Sequence, residues 1–118
     1  MIHIDKITIA VENIKKVANF YSKTFNIQLK EIDCGEFSMY AGKMGNIQIL
    51  FCPKSIAGIT ATENTIQIRI VVENIDETID KGIQSGGEQI NDIQVNNGVK
   101  VSALRDPDGN SIEIIQKI

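Results

Sequence analysis

Residues 7–14 read ITIAVENI and residues 68–75 read IRIVVENI. Each is a run of alternating isoleucines ending in the same tetrapeptide, and the copies stand 61 positions apart in a chain of 118. Alternation with a period of two marks a strand with one buried face. An asparagine followed by apolar residues at helical spacing marks a helix start. The chain therefore spells one strand-to-helix corner twice. A doubled module brings a seam between its copies, and seams are where small molecules usually bind.

Outward from each corner the pattern repeats. After Asn13, a good N-cap, IKKVANFYSKTF carries Ile14, Val17, Ala18 and Tyr21 on one helical stripe, and Asn26 suits a left-handed stop. Strands are expected at about 27–33, 36–41 and 46–52, with Gly35, Gly42 and Gly45 between them. The stretch 53–63, PKSIAGITATE, reads as a linker between halves or a mobile flap. A strand at 65–72 then leads to Asn74, with Glu77 placed to complete a capping box, and to a helix reaching Ser85 before Gly86-Gly87. Three more strands follow at about 88–95, 98–105 and 111–117, the last after the tight turn DPDGN. The order is strand, helix and three strands, twice: module one about 1–52, linker about 53–63, module two about 64–118 within one domain. A ferredoxin-like arrangement leaves the third strand after each helix unexplained.

Composition narrows the function classes. A net charge of −3 and a pI near 5.1 argue against nucleic-acid or anionic-membrane partners. No apolar run approaches the roughly 20 residues that cross a bilayer, and MIHIDKITIAVEN lacks the layout of a signal peptide. Cys34 and Cys52 have no metal-type spacing and read as reduced thiols of a cytoplasmic protein.

Tandem strand-helix-strand-strand-strand modules resemble the vicinal oxygen chelate superfamily, the glyoxalase/bleomycin-resistance/dioxygenase group. The resembling stretches are ITIAVENIKKVANFY at 7–21, GNIQILF at 45–51, IRIVVENIDETI at 68–79 and, most specifically, LRDPDGNSIEIIQ at 104–116. The resemblance implies an α+β fold in which tandem βαβββ modules form a curved mixed β-sheet around a cavity, within one chain or between two. It also implies ligand positions on four inner strands, which map here to Lys6, Gln48, Gln67 and Glu113. Strand parity agrees: with Ile7, Ile9 and Val11, and Ile66, Ile68, Ile70 and Val72, on the helix side, all four fall on the other face.

Metal members of the family use histidine and glutamate, sometimes with glutamine. A lysine ammonium has no lone pair to give and repels a cation, and amide oxygens are weak ligands. His3, the one histidine, sits three residues before Lys6 and so points to the opposite face of a continuous strand, as a surface residue. The expectation is no metal and no cofactor. Lys6, Thr8, Gln48, Gln67, Arg69 and Glu113, with Tyr40 as an aromatic wall, are the candidate lining of a ligand cavity, with Lys6 and Glu113 facing each other. An internal ion-pair network explains the same charges. Cys52 shares the parity of Gln48, yet no histidine stands by to activate it, so it reads as a buried inert thiol. Phe20, Tyr21 and Phe51 read as core.

The leading expectation is a metal-independent small-molecule-binding protein resembling the bleomycin-resistance branch, a sequestering or carrier homodimer rather than an enzyme. The alternative is a metal-dependent glyoxalase-type lyase, isomerase or dioxygenase. A non-catalytic regulatory or structural dimer stands third.

Overall fold

The computed structural model describes residues 4–62 and 66–118. His3, and Thr65 at the head of the expected strand 65–72, lie outside the described residues. The first module runs β1 (Lys6–Val11), α1 (Ile14–Phe25), β2 (Lys30–Asp33), β3 (Ser38–Met44) and β4 (Ile47–Pro53). A four-residue helix α2 (Lys54–Ala57) follows, occupying the start of the expected linker. The second module runs β5 (Ile68–Val71), α3 (Ile75–Gln84), β6 (Glu88–Asn96), β7 (Val99–Arg105) and β8 (Ser111–Lys117). The α+β architecture of tandem βαβββ modules expected from the sequence is present.

Each module builds its own four-stranded mixed sheet, ordered β1-β4-β3-β2 and β5-β8-β7-β6. β1 lies parallel to β4 and β5 parallel to β8, because the helix returns the chain to the same end of the sheet. The remaining neighbours are antiparallel hairpins. Among the described residues no ladder joins the two sheets, so β1 and β5 are both edge strands. The modules meet chiefly through α1 against α3. One core serves both: Val11, Val17, Phe20, Ile49 and Phe51 pack with Ile75, Ile79, Leu104, Ile112 and Ile114. Gly82 makes the helix pairing close, since a Cβ there would stand 2.7 Å from Leu104 and 3.4 Å from Thr24 of α1.

The core follows the alternation read from the sequence. Ile49 and Phe51, like Ile112 and Ile114, are buried beneath the helices, and α1 turns Val17, Ala18, Phe20, Tyr21 and Thr24 inward. Asn26 closes α1 at φ 53° and ψ 47°, the left-handed conformation expected of it. Asn13 departs from expectation: its side chain makes no capping hydrogen bond, whereas Asn74 Oδ1 accepts the Glu77 N–H at 3.1 Å. Glu77 completes only half of a capping box, because its carboxylate pairs with Lys81 at 3.1 Å one turn on.

Candidate functional site

The seam between the modules holds a cleft of about 350 Å³. Ile7, Thr8, Ile9 and Ala10 of β1 form one wall; Ile68 of β5 with Asn110, Ser111 and Ile112 at the head of β8 form the other. The connecting segment contributes Lys54, Ile59, Ala61, Thr62 and Ile66. Residues of both strand parities appear on the β1 side because β1 is an edge, whose flank rather than one face looks into the gap.

Tyr21 of α1 reaches the same cleft and is tied in place from behind. Its hydroxyl donates to Asp106 Oδ2 at 2.9 Å. Asp106 is 3% exposed and accepts three further hydrogen bonds, from the Asp108 and Asn110 backbone N–H groups and the Asn110 side-chain amide. This is why DPDGN folds as it does: the first aspartate gathers the turn's own donors, and Gly109 supplies a φ of 90°. Asp108 then reaches back to accept the Glu12 N–H at 2.7 Å. The turn that sets the cleft wall at Asn110 is thus clamped to the first module at two points. Burial, followed by the nearby Asp106, holds the Tyr21 phenol well above its ordinary pKa, so the side chain stays a neutral donor.

Of the seven residues proposed from the sequence, Thr8 is the one that lines this cleft. Lys6 and Gln48 are direct register partners across β1 and β4. Arg69 and Glu113 are register partners across β5 and β8, and their side chains form an ion pair. Gln67 donates to Ser111 Oγ at 2.6 Å. Glu113 is therefore satisfied by Arg69 rather than by Lys6, which forms no ion pair among the described residues. The register also shows why the two halves differ. Ile7 pairs with Ile49 and Ile68 with Ile112, so Gln48 is the structural counterpart of Ser111, and Leu50 that of Glu113. Matching IQI to IEI by pattern skips one pleat. Tyr40 is opposite Phe51 on the helix-side face, packed on the core, with its hydroxyl donating to Glu31 at 3.4 Å.

Cys52 is buried and its thiol pKa is raised, by burial first and then by Cys34, which disfavours the reactive thiolate. Among the described residues no group of three or more histidine, cysteine, aspartate or glutamate side chains is placed to hold a metal ion. The mapped quartet does not fit one: Lys6 has no lone pair to offer, and Glu113 is already paired with a guanidinium. No helix of the described residues is long and apolar enough to cross a membrane.

Comparison with known proteins agrees with this architecture. A family model described as the Glyoxalase/Bleomycin resistance protein/Dioxygenase superfamily matches residues 3–114. The chain belongs to this superfamily. No curated protein matches it. Among solved structures, a glyoxalase-related enzyme from Fulvimarina pelagi superposes with a TM-score of 0.81 at 15% identity, covering 99% of this chain and 89% of that one. A glyoxalase/bleomycin resistance protein/dioxygenase family enzyme from Burkholderia phytofirmans PsJN gives 0.80 at 16% identity, with coverages of 97% and 98%. An antibiotic-binding protein from Streptomyces sp. CB03234 gives 0.75 at 14% identity, with coverages of 100% and 98%. At such identities the likeness speaks for the fold alone.

Sequence reasoning foresaw a seam but not its lining. The sequence places Tyr21 in the core, Ile59, Ala61 and Thr62 in a linker or flap, and Ile66 on the helix side of a strand; β5 instead begins at Ile68, which leaves Ile66 79% exposed at the cleft. The signal was present: isoleucines in a segment that no helix or strand period claims need some other apolar surface to meet.

Proposed function

We propose that this superfamily member binds a small molecule in the cleft between its modules and does so without a metal, as a sequestering or carrier protein of the bleomycin-resistance kind. The observation that carries the reading is the cleft itself: about 350 Å³, bounded by both modules and a connecting segment, mostly apolar with a few polar groups, the Lys54 ammonium among them. The poor donor set at the mapped positions supports metal independence, and the antibiotic-binding neighbour supports a binding role for the fold. Lys6, Gln48, Gln67, Arg69 and Glu113 stand outside the lining, on or beside the strands that form it, and serve as its polar surround. Two free cysteines support a cytoplasmic setting, and edge strands β1 and β5 support assembly as a homodimer.

A thermal-shift panel of antibiotics, thiol adducts and organic acids tests the reading. A ligand at a hundredfold excess over its Kd stabilises the fold by about 2.7 kcal/mol. Elemental analysis of the purified protein accompanies it: a full equivalent of zinc, nickel, manganese or iron overturns metal independence. Sedimentation equilibrium decides the dimer.

A further inference from the structure

The lining of the cleft selects among ligand classes. Resting on the reading of that cleft as the binding site, we propose that its ligand is a compact aliphatic carboxylic acid, its hydrocarbon body among the isoleucines and its carboxylate at Lys54.

The walls are aliphatic. Ile7, Ile9, Ile68 and Ile112 face the space from the strands, and Ile59 and Ile66 face it from the connecting segment. Among the described residues Tyr21 supplies the one aromatic ring of the lining, so a planar polycycle finds no pair of rings there to stack between. Its hydroxyl is already donated to Asp106 and does not recognise ligand.

The rim is apolar and uncovered. Ile4 is 73% exposed and Ile66 79%, and both line the cleft. Large aliphatic side chains left in water around a concavity mark a surface that expects an apolar occupant. A hydrocarbon chain lying in the cleft covers them.

Charge sets the polar end. Among the described residues Lys54 is the single formally charged side chain in the lining, and none of them brings a carboxylate into the space. Its partner Glu12 stands outside the lining at 3.5 Å and is largely in water, so the pair is weak and exchangeable. An anionic head replaces Glu12 at the ammonium, whereas a cationic head sets a second positive charge beside Lys54. Thr8, Thr62 and Asn110 are uncharged and suit the second oxygen of a carboxylate. The volume is near the low end for ligand pockets, which favours a short chain over a long lipid.

Isothermal titration of the intact protein with octanoate, octanol and octylamine, three heads on one chain, tests this. Octanoate is expected to bind at least tenfold tighter than octanol, with octylamine weakest. Lys54→Gln is expected to bring octanoate down to the octanol level while leaving octanol unchanged. Ala61→Trp, which fills the cleft from an exposed segment, is expected to abolish binding of both. Equal affinities for octanoate and octanol, or the tightest binding by octylamine, overturn the carboxylate assignment and leave the cleft standing. Failure of all three probes, while a planar aromatic compound from the wider panel binds, overturns the aliphatic assignment. Binding that survives Ala61→Trp overturns the cleft as the site, and with it the function proposed above.

Discussion

At the first VENI corner the backbone N–H groups of Glu12 and Asn13 donate to the Asp108 carboxylate, at 2.7 and 3.4 Å, from the far end of the chain. At the second, the Asn74 side chain caps Glu77, and the Ile75 N–H donates to Gln116 Oε1 at 2.8 Å, all within one module. Four identical residues are thus held in two unlike ways. The neighbouring strand explains the difference. The register makes Pro53 the counterpart of Gln116, and proline offers no side-chain acceptor to its corner. The hairpins differ too: β3 and β4 are joined by two residues, Gly45-Asn46, while five residues from Asp106 to Asn110 join β7 and β8. The longer turn alone reaches across the seam. In crossing, it fixes Tyr21 and Asn110 against the cleft, so the inequality of the corners gives the seam its shape.

The comparison breaks most severely at Asp106. Asp106→Ala removes an acceptor of four hydrogen bonds and strands the buried Tyr21 hydroxyl; a loss of about 3 kcal/mol or more is expected in denaturant unfolding. A loss below about 1 kcal/mol would show that the clamp is ornamental.

Tyr21→Phe comes next, at about 1.5 kcal/mol, the typical worth of a hydrogen bond to a charged acceptor. It also carries a pH signature. The folded phenol is raised above its ordinary value. Its stabilisation is therefore complete below about pH 10 and is lost as pH climbs toward the folded value. Stability profiles of wild type and Tyr21→Phe should converge on the alkaline side; parallel profiles would refute a pH-linked clamp.

Asp108→Ala should cost about 1 kcal/mol and act on the first corner alone, read as faster amide exchange at Glu12 and Asn13 with Glu77 and Thr78 unchanged. The smallest effects give the sharpest contrast. Asn74→Ala should cost about 1 kcal/mol as a lost cap, while Asn13→Ala, with no capping bond to lose, should stay within about 0.5 kcal/mol of wild type. Equal costs for the two asparagines would mean that sequence identity, not the partner, governs the corners.

Much was legible in the chain because it is local and periodic. Alternating isoleucines place their own strands, the α1 stripe places its own helix, and Asn26 and the DPDGN turn stop where their preferred backbone angles allow. Two copies of one pattern also restrict the architecture, since each must bury the same face. These inferences need only the period of the backbone and the cost of leaving isoleucine in water.

What tertiary structure decided concerns partners distant in sequence. Which acceptor serves each corner, why Glu113 pairs with Arg69 and not Lys6, and how IQI and IEI fall one pleat out of step all depend on pairing register between strands far apart. Single-strand parity gives a residue's face but not its neighbour. Isoleucines in an aperiodic segment announce only that they need cover; where they find it depends on the path of the chain across the seam. Side-chain period is a property of the backbone itself, and contact is a property of how two stretches of backbone are brought together.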